Sequence, residues 1–474
     1  MGRPTFFFYD LETSGLNTAD DRIMQFAGQR ADLNLNPVGE PVNILVKLPD
    51  DTLPSPSAVF TTKITPQKTV EEGITEKELA EFLDKEIFTP DTIILGFNSV
   101  RFDDKFIQHL LWRNFFDPYE WQWKEGRSRW DMLDVVRMTR ALRPEDINWP
   151  VTEDGKPTNR LELITKLNGI SHEAAHDALS DVNALIDVTR LIKSRQPRLY
   201  NYLFNLRNKR EVKSLLNLRS PSPIVYTSGR YGSKHNFTTV VYPFAAGDKG
   251  SIAVFDLRQN LDKMLEKFSK EDPNFPENPK KPLITLFYPT VKEIAVNHCP
   301  AVAPLGVLNQ ADGWKKIDLS PEEIEKNLQS FKSHPEIIEL LKKEIKAADF
   351  ARETYDVESS LYDSFMPDID KVRVTAVRTG DVASLAEFRP NFADKRLPEL
   401  FLHYKAKNYP SLLSEEETQK WREYRASRLS RQAPNFLAEL KKFQLQNEKS
   451  PKKEASFLLE ELSLWYQSLQ EIDY

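Results

Sequence analysis

Asp10-Leu11-Glu12 stands at the end of the apolar run Phe6-Phe7-Phe8-Tyr9. Side chains two apart on a strand share a face, so both carboxylates would point into one place. Like charges held that close repel, and a divalent cation is the usual compensation. A second acidic pair, Asp103-Asp104, follows the run Thr92-Ile93-Ile94-Leu95-Gly96 after a short polar stretch that includes Asn98. On a helix, Asp103 shares a face with Phe106, Ile107 and Leu110, whereas Asp104 lies nearer Gln108, so Asp103 is the expected inward carboxylate. The third acidic feature is His176-Asp177-Ala178-Leu179-Ser180-Asp181. Positions 178, 181, 185, 188 and 192 follow helical spacing and hold Ala, Asp, Leu, Val and Ile, so Asp181 interrupts an apolar stripe. A carboxylate placed there needs a cation, a metal or a proton. Asp177 is suited to cap this helix, which leaves His176 in the preceding loop near the same end.

Each signal alone is common in proteins. Their ordered occurrence within one ~200-residue segment, each acid ending a core element on its buried side, is what points to a site. Asp10, Glu12, Asp103 and Asp181 with His176 suit a two-metal phosphodiesterase. Metals ~3.5–4 Å apart would stabilise the attacking water and the leaving oxygen, with His176 taking the proton of the water.

The elements that must position these groups are legible as patterns. Residues 6–9, 23–27 and 42–48 read as neighbouring strands, followed by a short acidic helix at 75–83 and a buried strand at 92–96. Helices are expected at 101–116, 131–141 and 177–193. Strands first, then alternating helices and strands, indicate a mixed sheet covered by helices, an α/β domain assigned to residues 1–200. Short β-rich runs between Gly and Pro turns, such as 224–226, 238–242 and 251–255, indicate a small barrel or sandwich from about 221 to 299. From Ser320 the chain is charged and helical. Phe436, Leu440 and Phe443, then Leu458, Leu462, Trp465 and Leu469, mark its apolar stripes.

Composition bounds the class. The chain has 474 residues, 40% hydrophobic and 29% charged, enough for two or three packed domains. The single cysteine, Cys299, excludes an intramolecular disulfide and a cysteine-based zinc site, and a reducing cytoplasmic compartment is expected. The apolar run at residues 6–9 is far shorter than a signal-peptide core or a membrane span, so no membrane partner is expected. A net charge of −6 gives no bulk attraction to phosphate, and any nucleic-acid footprint must be local.

The set Asp10-x-Glu12, Asp103, then His176 five residues before Asp181, resembles the DEDDh exonuclease superfamily with its ribonuclease-H-like fold. Within it the chain is similar to the bacterial exodeoxyribonuclease I family. The likeness extends to residues 96–104, Ser128-Arg129-Trp130-Asp131, residues 141–145, Ile147-Asn148-Trp149-Pro150 and 195–199. It resumes at Asp394-Lys395-Arg396 and at residues 404–410. The resemblance implies a ribonuclease-H-like mixed sheet flanked by helices (1–200), an SH3-like β domain (201–350) and a helical C-terminal domain (351–474), acting as a monomer. It implies processive 3′-to-5′ removal of nucleoside 5′-monophosphates from single-stranded DNA in repair and recombination, with two Mg²⁺ ions for which Mn²⁺ can substitute. Asp10, Glu12, Asp103 and Asp181 then organise metal and His176 is the general base, with Thr13, Asn98 and Arg160 positioning the terminal nucleotide. One departure is Lys63, where relatives commonly carry a glycine before Ile64-Thr65.

Single strands are bound by cationic and aromatic groups together. Arg207-Asn208-Lys209-Arg210, Arg230-Tyr231 with Lys234-His235, and Tyr404-Lys405-Ala406-Lys407 are candidate groove residues. The resemblance also implies a partner, the acidic C-terminal tail of single-stranded DNA-binding protein, for which Arg143 and Tyr202 are candidate receptors. The rival readings are a DEDDh ribonuclease or proofreading exonuclease, which is often little more than the first domain, and a non-catalytic single-strand-binding scaffold. The long C-terminal portion weighs against the first, and the complete acid and histidine set against the second.

Overall fold

Strand β1 (Thr5–Thr13) alternates its burial along its second half: Tyr9, Leu11 and Thr13 are buried while Asp10 and Glu12 are half-buried. The strand therefore does not stop at Tyr9 but carries both acids on one face through to Thr13. The structure is a computed structural model describing residues 4–172, 177–276, 279–347 and 356–471. It divides into two units, one taking the described residues of Met1–Ser128, Glu173–Asn183 and Arg352–Tyr474, the other those of Arg129–His172 and Ala184–Ala351.

In the first unit, β1 pairs antiparallel with β2 (Ile23–Ala31), which pairs antiparallel with β3 (Val42–Leu45). On its other side β1 pairs parallel with β4 (Thr92–Gly96), Phe8 lying opposite Leu95. The sheet is mixed, as expected, with the order β3-β2-β1-β4. Phe7, Tyr9, Leu11 and Phe26 form one core with Leu79, Leu83, Phe106 and Leu110 from the covering helices. Gly96 ends β4 where a Cβ would meet the Ser99 side chain at 2.5 Å and the Tyr9 carbonyl at 3.4 Å. Only glycine lets the chain turn that closely past β1 into the Asp103 helix.

The two long C-terminal helices, Glu415–Lys449 and Lys453–Glu471, belong to the same unit. Phe436, Leu440, Leu458, Leu462, Trp465 and Leu469, with Phe443 packed against them, share a core with Met24, Leu48, Leu53 and Val59. The apolar stripes of the C-terminal helices are thus spent on the first unit's sheet and its loops.

Lys63 caps the helix Pro56–Thr62 in the left-handed region, at φ 62°. A side chain there costs about 1–2 kcal/mol, and the exposed pair with Glu454 at 3.3 Å returns little. Lys63→Gly should therefore stabilise the protein by up to about 1 kcal/mol after the unfolded-state entropy of glycine is counted. Lys63→Ala, which keeps the strain, should not. Urea unfolding of the two variants separates these outcomes.

Strand β5 (Ser128–Asp131) falls at the division between the units along the chain. The second unit holds an antiparallel sheet of β6 (Ile224–Thr227), β7 (Thr238–Ala246), β8 (Ile252–Asp256), β9 (Val291–Ile294) and β10 (Ala301–Pro304), in the order β10-β6-β7-β8-β9. A helix, Leu261–Glu271, interrupts the β-rich stretch. Asn260 caps it by accepting from the Lys263 N–H, and Phe268 packs edge-on against Phe287 at 5.2 Å. Among the described residues no helix is long and apolar enough to cross a membrane.

Candidate active site

Because β1 and β4 run parallel, their carboxyl ends open on the same side, the usual place for a site in an α/β sheet. β1 brings Asp10 and Glu12 there. β4 leads through Asn98, at φ 67°, and the turn Ser99–Arg101 into the helix Asp103–Arg113. The third contributor is the helix Ala178–Arg195, capped as expected by Asp177, whose carboxylate accepts from the Ser180 N–H at 3.1 Å. Asp181 stands in the first turn of that helix.

Carboxylate oxygens of Asp10, Glu12 and Asp181 lie within 4.8 Å of one another. Burial first, then Asp103, Glu12 and Asp181, push the Asp10 carboxyl well above its ordinary range. Glu12 is pushed up to about 8 by burial and by Asp181, Asp103 and Asp177. The four expected acids therefore sense one another, and their ionised cluster is destabilised by its own charge unless a cation or protons join it. An all-oxygen donor set of this kind suits a hard divalent ion. His176 lies outside the described residues.

Asp104 is as buried as its neighbour, 1% exposed against 5% for Asp103. Asp103 is buried as expected, and Asp104, which helical spacing placed on the other face, is buried with it. Asp104 accepts the Tyr9 hydroxyl at 2.6 Å and so ties the start of its helix to the β1 residue next to Asp10. The Thr13 hydroxyl donates to the Gly15 carbonyl at 2.8 Å. Beyond it Leu16 is 84% exposed, an apolar side chain on the loop that follows Glu12. Sequence reading passed over it, although a leucine between glycine and asparagine in a polar loop is a usable signal.

Arg160, in the second unit, is exposed and pairs with Glu162 at 3.7 Å. In the same unit Arg143 and Tyr202 both lean on residues 302–310. The Tyr202 hydroxyl donates to the Val302 carbonyl at 3.0 Å, and the Arg143 guanidinium reaches the Val307 carbonyl at 3.4 Å and Gln310 Oε1 at 3.5 Å.

The groove candidates need correction. Tyr404 is 2% exposed, and Lys405 is buried against Glu417 at 2.5 Å. Lys407 pairs with Glu358 at 2.7 Å and Asp51 at 2.9 Å. These cations neutralise internal carboxylates and are not offered to a strand. Arg207 lies 3.6 Å over the Phe204 ring, where burial lowers its pKa to about 10. Tyr231 is buried beneath Lys292 at 3.3 Å. Only Lys209, Arg210, Arg230 and Lys234 of those clusters remain exposed cations.

Comparison with known proteins agrees with this geometry. Residues 7–189 match the family described as Exonuclease, 207–346 the Exonuclease I SH3-like domain and 355–469 the Exonuclease I C-terminal domain. Exodeoxyribonuclease I of Haemophilus influenzae is 37% identical over 445 residues, spanning 92% of this chain and 93% of the relative. The crystal structure of E. coli Exonuclease I in complex with a dA16 oligonucleotide superposes with a TM-score of 0.89 at 35% identity, covering 98% of this chain and all of that one. The structure of SSB/Exonuclease I in complex with inhibitor CFAM superposes with a TM-score of 0.87 at 34% identity, and the zinc ion bound form of the E. coli enzyme with single-stranded DNA with 0.87 at 33%. Each of these two covers 99% of this chain and 100% of the other. The three domain matches and the near-complete alignment establish that this chain belongs to the exonuclease I family.

Proposed function

We propose that this chain removes nucleoside 5′-monophosphates one at a time, processively, from the 3′ end of single-stranded DNA. The observation that carries this reading is the convergence of Asp10, Glu12 and Asp181 within 4.8 Å, with Asp103 felt by the first two. Relatives of the same architecture crystallise with single-stranded oligonucleotides. Asp10, Glu12, Asp103 and Asp181 would hold two Mg²⁺ ions, for which Mn²⁺ can substitute. When bound, such ions supply Lewis-acid stabilisation of the charge that develops on the scissile phosphate.

The remaining work falls to the chain's own groups. His176 accepts the proton of the attacking water. Thr13, Asn98 and Arg160 orient the terminal nucleotide, and exposed Leu16 offers an apolar surface to its base. The domains run 1–200, 201–350 and 351–474, bounds supported by the spans of the three family matches. The protein works as a monomer in the cytoplasm, in DNA repair and recombination.

The decisive assay uses end-labelled single-stranded DNA, duplex DNA and RNA, each with Mg²⁺ and with chelator. Mononucleotides from single-stranded DNA alone, abolished by chelator, are expected. Equal digestion of RNA would make the chain a ribonuclease, and digestion unaffected by chelator would remove the metal.

The tail of single-stranded DNA-binding protein is proposed to dock on the second unit, where Arg143 and Tyr202 converge on residues 302–310 and Lys316 pairs with Glu145 nearby. A lost charge-assisted contact is worth about 1.5–3 kcal/mol, so Arg143→Ala should weaken binding of an isolated tail peptide roughly 10- to 100-fold. Digestion of coated DNA should slow while bare DNA is digested normally. Unchanged peptide anisotropy titrations would remove Arg143 from that site, and equal losses on bare and coated DNA would assign it to the nucleic-acid groove.

A further inference from the structure

Arg22 closes the connection from β1 to β2. Its N–H donates to Ser14 Oγ at 2.9 Å and its carbonyl accepts from the Ser14 N–H at 2.8 Å, directly after the Glu12-Thr13 end of β1. Its side chain, fully buried, reaches the Glu358 carboxylate at 2.5 Å. Glu358 also accepts from Lys407 at 2.7 and 2.9 Å and lies 3.2 Å from His403 Nδ1. Beside it, Ser359 Oγ donates to Asp20 Oδ1 at 2.9 Å. Arg428 donates to the Asp20 carbonyl at 2.6 Å and pairs with Asp356 at 3.1 Å. Residues 356–359 thus hold the far end of the loop that follows Glu12, at Asp20 and Arg22, and Arg22 passes the hold to Ser14 through its backbone.

The same short segment has a second attachment. Trp112 Nε1 donates to the Val357 carbonyl at 2.9 Å, and the Tyr362 hydroxyl donates to Gln108 Oε1. His109 meets the Tyr362 ring edge-on at 5.2 Å. Gln108, His109 and Trp112 all lie on the helix that begins at Asp103. One stretch of seven residues, 356–362, therefore holds both the connection that follows the Glu12 end of β1 and the helix that begins at Asp103.

Buried ion pairs return little net stability, because desolvation cancels most of the attraction. Apolar packing would attach a helical domain as well, and the Phe436 to Leu469 core already does so. What charges and directed hydrogen bonds add is a fixed placement. That placement matters because the acids of the cluster repel one another, and a loosened frame would let them spread before a cation binds.

We infer that residues 356–362, with Glu358 as hub, form a positioning strap that sets the separation of the Glu12 loop and the Asp103 helix for metal binding. The inference rests on the acid cluster being the catalytic site. It gives the C-terminal domain a part in the chemistry beyond any contact with DNA.

The test is hydrolysis of a thymidine trinucleotide titrated with Mg²⁺, in the full-length protein. Supporting residues around metal ligands commonly change metal affinity by 10- to 100-fold. Glu358→Gln should raise the half-saturating Mg²⁺ concentration roughly tenfold or more and lower kcat, with KM for the trinucleotide unchanged and Glu358→Asp recovering part of the loss. Tyr362→Phe, which removes one hydroxyl and leaves the ion cluster intact, should raise half-saturation by about threefold, and it decides the matter if Glu358→Gln does not fold. Wild-type Mg²⁺ dependence in the folded variants, whatever their Tm, overturns the strap. Failure of the wild type to release mononucleotides from end-labelled single-stranded DNA in Mg²⁺ overturns the functional reading instead.

Discussion

Asp10→Asn and Asp181→Ala are expected to all but abolish mononucleotide release in Mg²⁺, with single-strand binding in chelator retained. The same Asp10→Asn change should make the metal-free protein more stable. Both results follow from one arrangement. Asp10 and Glu12 are raised above their ordinary range by burial and by the neighbouring acids. A group raised in the folded state contributes stability below its unfolded pKa and loses it as pH rises through the folded value. For Glu12 that window runs from about 4.5, its ordinary value, to about 8. Metal-free protein should therefore melt progressively lower across that range, and saturating Mg²⁺ should restore the loss by binding the folded state. Replacing one acid by its amide removes much of the repulsion together with the metal. Melting curves with chelator and with Mg²⁺, at pH 5 and pH 8, test this beside the activity assay. A destabilised Asp10→Asn protein without metal would show that the cluster is held by internal hydrogen bonds and is not waiting for a cation. Full activity of Asp181→Ala would end the two-metal assignment.

The site's elements were legible because each is local. The apolar run of β1, the buried run of β4 and the 3-4 spacing after Asp177 are each written in one continuous stretch of chain, and the acids sit at an end of each. Two features were not legible for the same reason inverted. Arg22 finds its carboxylate 336 positions away, in Glu358. Lys407 looked like an exposed cation because the acids that neutralise it, Asp51 and Glu358, lie far off in the chain and carry no mark of proximity. Asp104 illustrates a smaller failure: helical periodicity ranked its face as the outer one, but at the first turn of a helix a strand can cover either face, and β1 does so through Tyr9. The helix Leu261–Glu271 was hidden by the β-rich text around it, although Asn260 as cap and Leu261, Leu265 and Phe268 at helical spacing were there to read.

His176→Ala is expected to lower kcat roughly 10²- to 10⁴-fold with little change in single-strand affinity, the range for losing a general base. A base must be neutral to accept a proton, and an imidazole with an ordinary pKa of about 6.5 would give the wild type an acid limb near that value. Glu12, raised to about 8 without metal, offers a rival source for such a limb, because its proton must leave before a cation can bind. The two separate on Mg²⁺. A limb due to Glu12 moves to lower pH as Mg²⁺ is raised, since ion and proton compete for the same oxygens. A limb due to His176 stays in place at saturating Mg²⁺ and is absent from His176→Ala. Measuring kcat from pH 5.5 to 9 at several Mg²⁺ concentrations in both proteins distinguishes them. A limb that follows Mg²⁺ in the wild type and persists in the variant would assign the acid limb to Glu12 and take the base role away from His176.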